Sequence, residues 1–429
     1  MKTTDTFLEL YRTIHDFVKR DVSPNFKNKD NEHDTDPAWN RLRELGTELW
    51  LDSGNIDDIQ EIWTGEFSAL TTNNTLLNKE IQTGRYDSLI QEASRMLDQC
   101  NELSENEKIL EIAFILNARH ALRLVEKFDA YVSVEEHTSL ANDVEAAIDY
   151  ARRYHVICPE RFIVKIPFTA AGLLATRRLA REGIAVNHTL GFSARQNYLI
   201  ARLAKPSFVN VFLGRLNSFV ADNQLGSGQF MGEKATLTSQ AVVKQLRKKQ
   251  LTSSRQIGAS FRDARQVNDL AGIDVMTLPP KVADEFISEK PLPENITDRT
   301  KSVFSPGIDP KVDRTAVRLD TLWDVIVQLV NCIETLEIEN LDAFTPDDLI
   351  DFFDEHRCGD VLVRWTDSQI ETSAREGKIP RLEHWKDALE SKSIGLDSLM
   401  SLAGLNSFAS EQKQMDDHIR EILSTNPSQ

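Results

Sequence analysis

An α/β chain folded as a (β/α)8 TIM barrel, with an N-terminal helical extension and a long C-terminal helical extension, is the fold class this sequence predicts. Three observations lead there. From Leu49 to about Pro280, short apolar runs alternate with longer stretches of helical spacing, the pattern of βαβ units around a parallel sheet. Eight such runs fall within about 230 residues, close to the ~250 residues of one closed barrel. The glycine-rich phosphate turn that opens a doubly wound sheet is missing after the first run, where Asp52-Ser53-Gly54-Asn55 holds one glycine.

In chain order, residues 5–20 read as an amphipathic helix, with Phe7, Leu10, Tyr11, Ile14 and Phe17 at helical spacing. A polar stretch from Asp21 to Asp36 follows, so residues 1–45 are expected to be an N-terminal helix and linker. Strands are predicted at 49–53, 68–72, 130–135, 162–167, 185–190, 208–214, 256–261 and 273–278, which places the barrel at 46–289. Beyond it the composition turns charged and helical. Thr345-Pro346-Asp347-Asp348 is a helix start: the threonine caps, the proline fits the first turn and the acids face the positive end of the helix dipole. That helix should stop near Cys358 and Gly359, and Val317–Leu336 and Ser407–Leu423 predict two more amphipathic helices. Residues 290–429 are thus expected to be a helical extension ending in a lid-like helix.

Composition narrows the function. A 429-residue chain that is 41% hydrophobic can bury a sizeable core. It has no run of ~18 apolar residues and no apolar signal region after Met1-Lys2-Thr3-Thr4, so neither membrane insertion nor secretion is expected and the cytoplasm is the default compartment. The four cysteines, Cys100, Cys158, Cys332 and Cys358, are too scattered for a zinc or redox motif and read as free thiols. A formal charge of −17 disfavours nucleic acid as a partner. An anionic metabolite would need arginines of its own. The nine histidines form no spaced cluster, so neither a metal nor another cofactor is expected. His188 should point away from its neighbour Thr189, because adjacent strand residues face opposite sides. The sequence leaves self-association into a homo-oligomer open.

Within the run Phe162-Ile163-Val164-Lys165-Ile166-Pro167, a lysine stands in what otherwise reads as a fully buried parallel strand. A buried ammonium must find a partner, line a polar cavity or lose its proton, and desolvation can lower a lysine pKa by ~3–5 units. The plain alternative is a lysine at an exposed strand end. In a barrel of this kind, however, strand ends and the loops after them converge on one mouth. Asp52 ends the first strand, Asn73 the second, Glu135 the third and Lys165 the fourth; Asn187 and Thr189 lie on the fifth, Arg215 follows the sixth, and Ser260 and Arg262 close the seventh.

These residues stand in motifs that resemble the transaldolase family: Leu51-Asp52-Ser53-Gly54, Thr71-Thr72-Asn73, Val132-Ser133-Val134-Glu135, Val164-Lys165-Ile166-Pro167, Asn187-His188-Thr189-Leu190, Gly214-Arg215 and Gly258-Ala259-Ser260-Phe261-Arg262. The resemblance covers roughly 49–286, and Phe408-Ala409-Ser410-Glu411-Gln412 looks like the family's final helix. It implies that Lys165 forms a Schiff base with a ketose phosphate, Asp52 handles the proton of the donor's C4 hydroxyl, and Glu135 and Thr189 hold a proton-relaying water. Asn73 and Asn187 would bind the hydroxyls of a dihydroxyacetone unit, which passes to an aldose phosphate. Arg215, Arg262 and Ser260 would hold the terminal phosphate.

The chain also departs from the family. Thr-Asn-Pro-Ser is usual after the second strand, whereas Asn73 is followed here by Asn74 and Thr75. A serine common on the sixth strand is replaced by Asn210, which brings a sulfonated ketose into consideration. Related fructose-6-phosphate aldolases tend to carry glutamine at the position of Glu135 and tyrosine at that of Phe212, so both residues here match the transferases. The rival readings are cleavage with release of dihydroxyacetone, transfer from an unusual ketose, and a non-catalytic sugar-phosphate-binding barrel.

Overall fold

The computed structural model describes residues 4–22, 34–100 and 103–425. Eight parallel strands close a barrel in sequential order. They are β1 (Glu48–Asp52), β2 (Phe67–Thr71), β3 (Tyr131–Glu135), β4 (Phe162–Pro167), β5 (Val186–Thr189), β6 (Phe208–Phe212), β7 (Arg255–Ala259) and β8 (Val275–Leu278). Helices α1 (Thr4–Lys19) and α2 (Pro37–Glu44) precede the barrel. Woven around it are α3 (Ile56–Ile62), α4 (Asn74–Ile81), α5 (Asp87–Cys100), α6 (Glu105–Phe128), α7 (Val144–Ile157), α8 (Ala170–Arg181), α9 (Ala194–Leu203), α10 (Leu213–Asp222), α11 (Met231–Lys248), α12 (Ala264–Asp269) and α13 (Pro280–Ser288). The extension holds α14 (Val327–Leu336), α15 (Pro346–Glu355), α16 (Asp367–Glu376), α17 (Leu382–Glu390) and α18 (Leu396–Thr425).

The two-residue period of the strands explains how an apolar barrel carries a polar mouth. Leu49, Leu51, Leu70, Val132, Val134, Phe162, Val164 and Val186 face outward and pack with the surrounding helices in one large core. Trp50, Ala69, Ile163, Ile257 and Val275 fill the interior instead. Two residues beyond four of these stand Asp52, Thr71, Lys165 and Thr277, on the same inward side and one layer nearer the mouth. Many of the loops that follow the strands end in a capping side chain: Asn55, Asn73, Asp143, Thr169, Ser193 and Asp263 each accept a hydrogen bond from the first turn of the next helix.

Three elements differ from the sequence reading. Where a linker is expected, Asp36 caps α2, and Trp39 of that helix is buried against Phe67 and Phe286, with ring centroids at 5.3 and 4.8 Å. Helix α18 begins at Leu396, well before Ser407, because Gly404 is tolerated inside a helix packed closely on the barrel. The stretch Val317–Leu336 is α-helical only from Val327, after a short 3-10 helix at Leu319–Leu322; Arg318 adopts a left-handed backbone (φ +58°), and its guanidinium lies 2.7 Å from Asp360. The helix at Thr345 forms as expected, with a complete capping box. The side chain of Phe7 and residues 23–33 of the polar stretch lie outside the described residues.

Helix α18 is bolted to the barrel by buried charge. Arg195 of α9 donates to Asp397 from both Nε and Nη2 at 2.7 Å and to Asp360 from Nη1 at 2.8 Å, while Ser193 Oγ donates to Asp397 at 2.6 Å. Ser401 Oγ donates to the carbonyl of Leu190 at 2.8 Å, so the helix is fixed to the loop that leaves β5. Further along, His137 meets Asp416 and His418 meets Asp87, each at 3.2 Å.

Candidate active site

Strand register sets the centre of the site. Glu135 pairs with Lys165 and Lys165 with Asn187, so three inward side chains from β3, β4 and β5 lie side by side. Lys165 Nζ is 3.6 Å from Glu135 Oε1 and donates to the carbonyl of Thr72 at 3.3 Å. Both residues are buried. Of the three outcomes open to a buried lysine, the structure shows a partner. Glu136, the neighbour of Glu135, is buried as well.

The other oxygen of Glu135 accepts a hydrogen bond of 2.9 Å from the backbone N–H of Asn74. A proline there would have no proton to give. Burial pushes the Glu135 carboxyl above the ordinary carboxylate range, against the opposing pull of Lys165 and the Asn74 N–H. Asp52 is raised in the same way by burial, opposed by Lys165, by a 3.0 Å hydrogen bond from Thr71 Oγ1, and by Arg262 and Arg215. Glu135, 3.6 Å from the amine, and Asp52, whose carboxyl feels the same charge, are two groups that can exchange protons in the site.

The amides lie beside this centre. Asn210 Nδ2 donates to Asn187 Oδ1 at 3.1 Å, and Asn187 Nδ2 donates to Ser133 Oγ at 3.1 Å. Asn210 therefore lies on the lysine side of the barrel interior. Asn73 caps α4, its side-chain oxygen accepting from Leu76 N–H at 2.9 Å, which leaves its amide nitrogen to donate to a substrate. Thr189 is buried and its hydroxyl has no partner within the described protein. His188 turns outward as expected, its Nδ1 lying 2.9 Å from Thr176 Oγ1 of α8.

At the far side of the mouth is a site built for an anion. Arg215 is buried, its Nη1 has no acceptor, and burial, reinforced by Arg262, brings its pKa down to about 10. A buried guanidinium without a matching acceptor is costly, and an anionic ligand relieves that cost. Strand β6 runs straight into α10 with Phe212 at the N-cap and no side chain bonded to the first-turn N–H groups, which adds a second feature favouring an anion. Gly214 is required: a Cβ there would stand 2.2 Å from the carbonyl of Ser260 and 2.9 Å from Arg262 Nε. Ser260 itself has a left-handed backbone (φ +68°), a strained conformation that tends to mark working sites.

Helix α18 joins the two ends. The ring of Phe408 lies 5.5 Å from Lys165 Nζ and 5.4 Å from the guanidinium carbon of Arg215, and Phe212 lies 5.2 Å from the same guanidinium. Gly404 lets the helix approach, since a Cβ there would be 2.7 Å from Leu190 and 3.3 Å from Arg215 Nη1. The role of Phe408 in linking the two ends was not legible in the sequence, and neither was the Asn74 N–H. Among the described residues no group of three or more His, Cys, Asp or Glu side chains is gathered as metal ligands, and no helix is long and apolar enough to cross a membrane. Cys158, Cys332 and Cys358 are buried and free, while the side chain of Cys100 lies outside the described residues.

Comparison with known proteins agrees with this geometry. The chain is similar to a probable transaldolase of Thermus thermophilus, 33% identical over 244 residues that cover 56% of this chain and 90% of that one. It is also similar to a transaldolase of Prochlorococcus marinus, 30% identical over 288 residues (65% and 84%), and to one of Xanthomonas euvesicatoria, 29% identical over 256 residues (58% and 77%). The family model for transaldolase/fructose-6-phosphate aldolase matches residues 49–347, which span all but the first residue of β1 and the whole of β2 to β8. The chain belongs to the transaldolase/fructose-6-phosphate aldolase family.

Proposed function

We propose that the protein is a transaldolase of the pentose phosphate pathway. It would carry a dihydroxyacetone unit from a ketose phosphate, fructose 6-phosphate or sedoheptulose 7-phosphate, to an aldose phosphate through a Schiff base on Lys165. The observation that carries this reading is a buried amine 3.6 Å from a buried carboxylate, linked through the ring of Phe408 to an arginine that lacks an acceptor.

Glu135 takes a proton from Lys165, and the free amine adds to the C2 carbonyl of the donor. The carbinolamine loses water, with Glu135 and Thr189 holding the molecule that relays the protons. The protonated imine then draws the electron pair of the C3–C4 bond onto the three-carbon fragment as Asp52 removes the proton of the C4 hydroxyl. An aldose phosphate leaves and an enamine remains on Lys165. Asn73 and Asn187 hold its hydroxyls, Asn210 orients Asn187, and the intermediate waits in a fixed pose. The enamine attacks the carbonyl carbon of a second aldose phosphate, Asp52 returns the proton, and hydrolysis of the imine frees the lysine. Arg215 and Arg262, with Ser260, grip the terminal phosphate in each half-reaction.

Transfer is favoured over release because Phe212 packs with Phe192 and Phe408, at 5.6 and 6.5 Å, and offers no hydroxyl to place a water at the enamine. A coupled assay with and without erythrose 4-phosphate separates the alternatives. A transaldolase consumes fructose 6-phosphate only with the acceptor present. Equal rates without it would make the protein an aldolase, and no turnover of phosphorylated or sulfonated ketoses would leave a binding barrel.

A further inference from the structure

The loop that leaves β5 begins one residue after Thr189, and a helix from outside the barrel holds it. Thr189 stands two positions beyond Asn187 on the same inward side of the strand, and its buried hydroxyl has no partner within the described protein. Its carbonyl accepts from the N–H of Phe168, the residue after β4, at 2.8 Å. The chain then turns through Leu190, which has a left-handed backbone (φ +65°) although its side chain is fully buried. A leucine keeps that strained conformation only where its surroundings over-determine it.

Helix α18 supplies those surroundings, from beyond residue 347, where the family match ends. The single proton of the Ser401 hydroxyl is shared between the carbonyl of Leu190 at 2.8 Å and that of Asp397, in its own helix, at 3.0 Å. The same oxygen accepts from Gln196 Nε2 at 3.1 Å, and Gln196 Oε1 accepts from the N–H of Phe192 at 2.8 Å. One turn further on, Gly404 brings the helix against the Leu190 side chain. Ser193 closes the loop by donating to Asp397 at 2.6 Å. Ser401 and Gln196 are both buried, so bulk water does not compete for these bonds.

We propose that Ser401 is a positioning residue: it holds the strained backbone of Leu190 so that the hydroxyl of Thr189 stays aimed at the proton relay during imine formation. This rests on the reading of Thr189 as a member of that relay. Without the Ser401 bond, Leu190 can relax toward an ordinary φ, which rotates the peptide after Thr189 and shifts the threonine. A displacement of about 1 Å in a positioned group can cost on the order of a hundredfold in rate, so about tenfold is expected from a loop still held at Phe192 and Ser193. The extension thereby steadies a barrel residue without touching the substrate.

The test uses the full chain, mixed with fructose 6-phosphate and quenched at intervals with borohydride to follow the adduct on Lys165. In Ser401→Ala the adduct should form about tenfold more slowly, with KM and the binding of inorganic phosphate within about twofold of wild type. Ser401→Thr keeps the hydroxyl, and its methyl can occupy the cavity that Ser401 lines, so the rate should return to near wild type. Ser401→Cys, a weaker donor of similar size, should give a smaller loss and carries the test if Ser401→Ala does not fold. Ser398→Ala is the control for anchoring alone: Ser398 Oγ donates to the carbonyls of Asp360 and Val361 at 2.8 and 3.0 Å, so the rate should stay at the wild-type value. In a Thr189→Val background, Ser401→Ala should add little. An equal loss in Ser398→Ala, a fully additive loss in the Thr189→Val background, or an unchanged rate in the Ser401 variants would overturn the proposal. If Thr189→Val leaves adduct formation unchanged, the relay reading falls and the proposal with it; if Thr189→Val slows it and Ser401→Ala does not, the assignment of Ser401 alone fails.

Discussion

Replacing Asn74 by proline removes a backbone proton donor at the centre of the proposed chemistry. Asn74 is the first residue of α4, a position where proline is well accommodated, and Asn73 before it is already extended (φ −154°, ψ 168°), as a residue preceding proline must be. The variant restores the residue usual in the family and should fold. At Glu135 it removes the 2.9 Å hydrogen bond from the Asn74 N–H to Oε2, and with the side chain it also removes the 3.4 Å contact from Asn74 Nδ2 to the carbonyl of Glu136. A hydrogen bond to a charged group contributes about 1.5–3 kcal/mol, and one pKa unit corresponds to about 1.4 kcal/mol, so the Glu135 pKa should rise by roughly 1–2 units. The direction follows from the N–H favouring the ionised carboxylate, whose pKa burial has already raised. Glu135 must be ionised to take the lysine proton, so the acid limb of kcat/KM should move to higher pH by about 1–2 units while the alkaline plateau is kept. The assay is a pH–rate profile from pH 5 to 9, with a thermal melt to confirm folding. An unmoved limb, or a uniform loss at every pH, would refute the reasoning.

Other consequences follow from the same contacts. Phe408→Leu removes the ring that faces Lys165 and Arg215, and kcat/KM should fall about tenfold with the melting temperature changed by only a few degrees. Undiminished activity would show that α18 does not shape the site. Asp397→Ala leaves Arg195 buried without its bidentate partner and should cost about 3–5 kcal/mol in urea unfolding, whereas a loss below about 1 kcal/mol would mean that the network does not hold the extension. Burial lowers His120 to about 4 and His188 to about 3. The unfolded chain, with histidine near 6.5, then takes up protons first, so stability present above about pH 6.5 is lost as the pH falls, by roughly 2 kcal/mol per histidine at pH 5. A double variant, His120→Gln and His188→Gln, should lose about 4 kcal/mol less than wild type between pH 7.5 and 5; equal losses would contradict this.

The barrel was legible because its strands are buried on both faces. Phe162–Pro167 reads as a continuous apolar run with one intruding lysine, and the structure returns those same bounds. Polar residues at strand ends, such as Asp52, marked the mouth in the sequence, and the structure adds that Asp52 stands two positions beyond the interior Trp50. The extension was harder. Gly404 inside α18 looks like a helix end, yet it is the residue that allows close approach to Leu190 and Arg215. Arg318 breaks an apolar pattern of helical spacing because a distant carboxylate, Asp360, draws its side chain away. The donor at Asn74 is a backbone proton, and the absence of a proline was its only trace in the sequence. Asn73 showed the opposite limit, since a residue marked for substrate also caps a helix.

The most direct measurement is borohydride reduction of the protein during incubation with fructose 6-phosphate, followed by peptide mass analysis. A covalent three-carbon adduct on the peptide containing Lys165, absent from Lys165→Ala, is the predicted result. An adduct on another lysine, or none while the substrate is being consumed, would contradict it.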